Sequence, residues 1–270
     1  MGNSATHDAW QAGENYETYM GRWSSLIAGK FMPWLDVSSG MDWLDVGCGT
    51  GALSRTILEG TNPGSVVGVE PSEGFVAHAR ALTNDHRARF EVGNALELPL
   101  NDETVDIATS ALVLNFVPDK SRALQEMRRV TRPGGTISFY VWDYPGGGVD
   151  FIDLFWKCAA ELDESAVDLD EGKRFPFCTP DGLRQICETG GLRDPEITRL
   201  EIDTIFPTFQ DFLHPFTLGA GPAPGYFSSL DDDRKDEMSA LLADRLGPEE
   251  PIRLTARAWG VKAKNDKSAD

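Results

Sequence analysis

The sequence predicts an α/β fold built on a mostly parallel sheet, and three observations carry that prediction. Between residues 42 and 143, short apolar runs of strand length alternate with longer runs whose apolar residues fall at helical spacing. The run Ser65-Val66-Val67-Gly68-Val69-Glu70 is apolar almost throughout, as in a strand covered on both faces. The first run breaks into Gly47-Cys48-Gly49-Thr50-Gly51, and helical periodicity resumes at Ala52, Leu53, Ile57 and Leu58. Strand, tight turn and helix start, in that order, open a βαβ unit.

The elements follow in order. Residues 1–12 carry no regular pattern. From Tyr16 to Leu35 the residues Tyr16, Tyr19, Trp23, Ile27, Phe31 and Trp34 fall three or four apart, which predicts a helix that Pro33 and Gly40 punctuate. Strand one is expected at 42–46, then a helix at 52–60 stopped by Gly60, Pro63 and Gly64. Strand two covers 65–70, and Ser72 can cap the helix that runs to Leu82. A short strand at 88–92 and a loop at 94–100 follow. Strand four is expected at 105–110, a helix at 120–130 ended by Arg132-Pro133-Gly134-Gly135, and strand five at 136–141.

After Asp143 the rhythm changes. Tyr144-Pro145-Gly146-Gly147-Gly148 is a break, and a helix is expected at 149–162. The acidic stretch 163–171 reads as a solvated loop. Pro180-Asp181-Gly182 opens a helix at 183–189, and 195–206 alternates as a strand. Residues 209–216 read as helical, 219–225 as a Gly/Pro loop, 231–246 as an amphipathic helix and 252–262 as a closing strand. One domain is expected over 1–270, with a core of about 40–143 plus 190–262 and cap elements from 14–35 and 144–230.

Composition narrows the partners. The chain has 270 residues and a net charge of -18, a field that repels nucleic-acid backbones. No 18-residue apolar stretch predicts a membrane span. Met1–Asp8 has no apolar leader, and a cytoplasmic location is expected. Cys48, Cys158, Cys178 and Cys187 form no C-x-x-C pair, so neither a disulfide framework nor a metal site is expected. A homodimer is left open.

Open α/β sheets bind ligands beyond the carboxyl ends of their strands. The spacing G-x-G-x-G differs from the dinucleotide G-x-G-x-x-G, and no phosphate-loop G-x-x-x-x-G-K-[ST] run occurs, so a nucleoside ligand without a diphosphate fits best. Glu70, followed by Pro71, ends strand two, where a carboxylate can accept two hydrogen bonds from a ribose diol. Asn94-Ala95-Leu96 follows strand three, where an amide can read an adenine edge and Leu96 can pack on the ring. Ser110 and Ala111 end strand four, nearest the centre.

Trp43-Leu44-Asp45-Val46-Gly47-Cys48-Gly49-Thr50-Gly51, Glu70, Asn94-Ala95 before Leu98-Pro99, and Arg129-Val130-Thr131-Arg132-Pro133-Gly134-Gly135 together resemble the class I S-adenosylmethionine-dependent methyltransferases. The likeness is to the ubiquinone/menaquinone-type, small-molecule subgroup and is tightest over 40–143. It implies a Rossmann-like seven-stranded sheet of order 3-2-1-4-5-7-6, strand seven antiparallel, with helices on both faces and a helical cap. It implies S-adenosyl-L-methionine as cofactor, with Asp45, Gly47, Cys48, Gly49 and Gly51 at its amino-acid part and Glu70 at its ribose. The family usually has Asp where this chain has Asn94, and many members have His where it has Asn115. Tyr16–Ser24 resembles the segment that closes over the cofactor in the subgroup. On that likeness Tyr16 faces the methyl side, Tyr19 and Met20 line the cofactor, and Arg22 pairs with its carboxylate.

Methyl transfer from a sulfonium needs alignment and exclusion of water more than an acid–base pair. Asp143, at the end of strand five, and His214, in the aromatic segment Asp211–Phe216, are the candidates to orient or deprotonate an acceptor; loop capping and helix-end packing are their competing roles. Aromatic residues crowd 142–227, which suggests a small apolar or aromatic acceptor. A nicotinamide-dependent oxidoreductase and a non-catalytic cofactor-binding sensor are the alternatives.

Overall fold

The computed structural model describes residues 17–219 and 221–266. Seven strands form one sheet: β1 (Asp42–Val46), β2 (Ser65–Glu70), β3 (Ala88–Val92), β4 (Val105–Ala111), β5 (Thr131–Trp142), β6 (Glu196–Phe206) and β7 (Ile252–Lys264). Their order is β3-β2-β1-β4-β5-β7-β6, as the resemblance implies. The pairs β1–β2, β1–β4, β2–β3 and β4–β5 are parallel. β7 runs the other way: Gly134 N donates to Asn265 O and Asp143 N to Arg257 O, so one strand advances as the other retreats. The chain leaves β1 in one direction and β4 in the other, which places the switch point between them.

The helices are α1 (Arg22–Leu35), preceded by a π-helical turn at Glu17–Gly21, α2 (Ala52–Gly60), α3 (Glu73–Leu82), α4 (Lys120–Val130), α5 (Asp150–Leu162), α6 (Glu171–Arg174), α7 (Pro180–Thr189), α8 (Phe209–Leu213), α9 (Pro222–Ser229) and α10 (Asp232–Leu246). Among the described residues none is long and apolar enough to cross a membrane.

Two compact units divide the described chain: one holds 17–23, 142–176, 201–219 and 221–257, the other 24–141, 177–200 and 258–266. In the second unit, consecutive residues of β1 and β2 are buried, so both sheet faces are covered. Each fully buried Val, Leu or Ile here contributes roughly 1.5–3 kcal/mol. α2 presents Leu53, Ile57 and Leu58 inward, one helical face, and Ile57→Ala would cost about 2–5 kcal/mol. Ser72 caps α3, its hydroxyl accepting from Phe75 N at 3.3 Å, as its position before the apolar run predicts. The core of the first unit is aromatic. Phe155 stacks on Phe216 at 4.6 Å between centroids, Trp23 meets Phe206 edge-on at 5.3 Å, and Tyr19 stands edge-on to Phe216 at 5.6 Å. Much of the aromatic density between 142 and 227 is therefore packing.

Three expectations need correcting. β5 begins at Thr131, not 136, because Gly134 and Gly135 keep backbone bonds to Asn265 and Thr131 pairs Val105 across a register shift. The stretch 163–171 is not a solvated loop: a 3-10 turn (Glu164–Leu169) leads into α6, and Glu171 is buried where the indole of Trp156 needs an acceptor. Residues 222–229 form α9 rather than a continuing loop, since a proline at the first turn loses no helical hydrogen bond.

Candidate functional site

The glycine turn is stitched to its neighbours. Gly47 N donates to Val69 O at 2.7 Å, and Gly51 N donates to Cys48 O at 2.8 Å to close the turn. Gly47, Gly49 and Gly51 have φ of 70°, 52° and 87°, the left-handed region in which a side chain is strained. At Gly47 a Cβ would also lie 2.5 Å from Val113 Cγ1. At Gly49 it would meet nothing within 4 Å, so there the conformation, not the packing, demands glycine.

Two buried carboxylates flank the turn. Glu70 Oε2 accepts from Gly49 N at 3.3 Å and its Oε1 from Ser72 N at 3.0 Å. Burial raises its pKa, and these two amide bonds oppose the rise. Asp45 is fully buried; Oδ2 accepts from Ser54 Oγ at 2.7 Å, while Oδ1 has no partner. Burial pushes Asp45 up to about 7, the bonds from Ser54 oppose, and the Glu70 charge adds. Burial also holds the Cys48 thiol far above its usual range, so it is no nucleophile.

The remaining candidates separate into groups. Asn94 is exposed, and its Oδ1 accepts from Leu96 N at 2.9 Å, an Asx turn that leaves only the amide N–H groups for a ligand edge. Ala95 and Leu96 are half-buried beside it, and Pro71 is exposed. The loop is held by Glu126, which accepts from Leu98 N at 2.9 Å and pairs with Arg122 and Arg129. Ser110 Oγ donates to Val46 O at 2.8 Å, so its hydroxyl ties β4 to β1; Ala111 is half-buried. The structure thus brings Asp45, the three glycines, Cys48, Glu70 and Ser110 together at the carboxyl ends of β1, β2 and β4.

Tyr19, Met20, Arg22, Asp143 and His214 belong to the other unit; Tyr16 lies outside the described residues. Tyr19 and Met20 are buried. The Arg22 guanidinium lies 4.3 Å over the Trp23 ring and 4.9 Å over Phe206, and its buried Nε and Nη2 have no hydrogen-bond partner. Burial lowers its pKa and Asp211 opposes. Asp143 accepts from Arg257 Nε at 2.6 Å and from Gly146 N at 3.1 Å, so both its oxygens are engaged in anchoring the 144–148 turn. His214 is exposed at the start of a 3-10 turn.

Sequence reasoning missed Ser54, Val113, Arg257 and Glu171. Ser54 sits in the first turn of α2, where a hydroxyl one turn past the last glycine is the available signal. The others are brought in by contacts distant in sequence. Among the described residues no His, Cys, Asp and Glu cluster suits a metal ion, and all four cysteines are free and buried.

The methyltransferase-domain family matches residues 44–139, the segment that carries the turn, both carboxylates and the β4 edge. Over those residues the chain is similar to a methyltransferase domain. A demethylmenaquinone methyltransferase of Shouchella clausii is 40% identical over 110 residues, 39% of this chain and 47% of that protein. The 37.1 kDa protein in transposon TN4556 of Streptomyces fradiae is 38% identical over 122 residues, 44% of this chain and 35% of that protein. The chain matches less than half of the length of either protein. Phosphoethanolamine N-methyltransferase 2 of Haemonchus contortus, solved with S-adenosyl-L-methionine, superposes with a TM-score of 0.58 at 17% identity, over 93% of this chain and 56% of that one. At that identity the likeness is one of fold, and it extends beyond residues 44–139.

Proposed function

We propose that the chain transfers a methyl group from S-adenosyl-L-methionine to a small, apolar or aromatic acceptor. The observation that carries this reading is the hydrogen bond from Gly49 to Glu70, which makes the glycine turn and the strand-end acid one site. The residues fit the cofactor. Glu70 offers a carboxylate to the ribose diol, and two amides fix its orientation. The partnerless Oδ1 of Asp45 is a buried acceptor waiting for a donor. The left-handed glycines let backbone approach where a Cβ would intrude. Asn94 offers amide N–H groups to the adenine edge, and Leu96 an apolar surface.

When bound, the cofactor supplies an electrophilic methyl on a sulfonium. What the chain supplies is alignment of the acceptor and exclusion of water. The net charge of -18 supports a small-molecule acceptor over a nucleic acid, and kinship with demethylmenaquinone methyltransferases supports an apolar one. Calorimetry with S-adenosylhomocysteine tests the cofactor half: binding is expected, and no uptake by folded, ligand-stripped protein would refute it. A screen of apolar acceptors with isotope-labelled methyl donor tests the transfer.

A further inference from the structure

Asn94 presents the wrong end of its amide for selecting adenine. An asparagine that selects adenine makes two bonds in one plane: its Oδ1 accepts from the 6-amino group and its Nδ2 donates to N7. Here the Asn94 Oδ1 accepts from Leu96 N at 2.9 Å. A backbone N–H can only donate, so the oxygen is the end turned onto the loop. The NH2 end, a pure donor, is left for a ligand, and Asn94 is exposed.

The rest of the loop is held in the same sense. Asn94 O accepts from Glu97 N at 3.1 Å and Leu96 O from Arg122 Nε at 3.1 Å. Leu98 O accepts from Arg129 Nη2 at 3.0 Å and Leu100 O from Arg129 Nη1 at 2.8 Å. Arg122 and Arg129 stand on one face of α4, and Glu126 between them accepts from Leu98 N and pairs with both. Four carbonyls at alternate positions are thus answered from within the chain. To offer Oδ1 to a 6-amino group, Asn94 would have to give up Leu96 N, and an amide left without an acceptor is costly. The loop's one carboxylate, on Glu97, is exposed. Loop, α4, glycine turn and Glu70 all belong to the unit that holds 24–141.

We propose that Asn94 makes this site indifferent to the group at purine C6, so that a 6-oxopurine nucleoside is taken as readily as adenosine. This rests on the S-adenosyl-L-methionine reading and sets its base specificity. Donors alone do not discriminate, whichever edge of the base faces Asn94. On the N1 edge adenine offers N1 as acceptor, and the 6-oxo base offers O6. On the N7 edge both offer N7, and the 6-oxo base adds O6. On the N3 edge the two bases are identical. A carboxylate in the same place would do the opposite, accepting from the 6-amino group and repelling O6.

The experiment titrates the full chain and its Asn94→Asp variant by calorimetry with S-adenosylhomocysteine and with S-inosylhomocysteine, in which oxygen replaces the 6-amino group. Aspartate keeps one oxygen for Leu96 N and brings a second for the base. The unaltered protein should bind the two ligands within about fivefold of each other, and the variant's preference for the adenosyl compound should be larger by about fivefold or more. If the unaltered protein itself prefers the adenosyl compound beyond that limit, Glu97 or another acceptor reads the 6-amino group and the proposal is overturned. If the variant's preference does not rise by that factor, Asn94 does not face the base, and the proposal is overturned on that ground. No uptake of S-adenosylhomocysteine by the folded, unaltered protein is a different result: it refutes the cofactor reading, and the proposal falls with it. Should the variant not fold, ¹⁵N NMR of the side-chain amides of the unaltered protein decides. The Asn94 NH2 signal must shift with either ligand, and a signal unmoved by S-inosylhomocysteine overturns the proposal.

Discussion

Gly49 and Glu70, twenty-one residues apart, are joined by a hydrogen bond of 3.3 Å from amide to carboxylate. The turn that leaves β1 and the acid that ends β2 are thereby held in fixed register, and a ligand that engages one meets the other.

Replacing Glu70 by alanine removes a charged acceptor from the proposed ribose site. Charge-assisted hydrogen bonds are worth about 1.5–3 kcal/mol, so affinity for S-adenosylhomocysteine should fall roughly 10–100-fold. Because the Glu70 pKa is raised, affinity of the unaltered protein should also fall as the pH drops through it, and this dependence should vanish in the variant. Isothermal calorimetry across pH checks both.

Gly47→Ala and Gly49→Ala should part company. Both force a side chain into the left-handed region, at about 1–2 kcal/mol. Only at Gly47 does the new Cβ collide with Val113, adding roughly 1–3 kcal/mol. Urea denaturation should show Gly47→Ala the less stable, with Val113→Ala restoring the difference.

Asp45 titrates near 7 in the fold against an ordinary 3.8, because burial disfavours its charge. A carboxyl whose folded pKa is raised contributes stability that is full below 3.8 and lost as the pH rises through about 7. The ligand-free protein should therefore be more stable at pH 5.5 than at pH 8, by about 2 kcal/mol from this group. Asp45→Asn should remove that share, leaving the similar contribution of Glu171. Thermal unfolding across pH measures it.

Arg257→Met strands the Asp143 carboxylate, whose side chain is 5% exposed. Breaking one side of a buried pair costs about 3–5 kcal/mol. The double variant Asp143→Asn/Arg257→Met should recover part of the loss, which equilibrium unfolding would show.

Most strand and helix positions from 42 to 130 were legible because local periodicity sets them: β1, β2, β3, α2 and α4 fall where apolar spacing places them. The C-terminal half was less so. Residues 163–171 look solvated because five of the nine are acidic, and the indole of Trp156, folded back from α5, gives the buried Glu171 its donor. Asp143 reads as a free acid until Arg257, 114 residues later, is brought against it.

The sequence by itself determined the alternating α/β order, the three-glycine turn and the acid that follows β2, since steric limits on φ and the periods of helix and strand act within a few residues. Tertiary structure alone decided which carboxylates carry a proton near neutrality, which are neutralised and which polar groups stand unpaired. Those properties depend on burial and on the nearest charges, and both are supplied by segments far away along the chain.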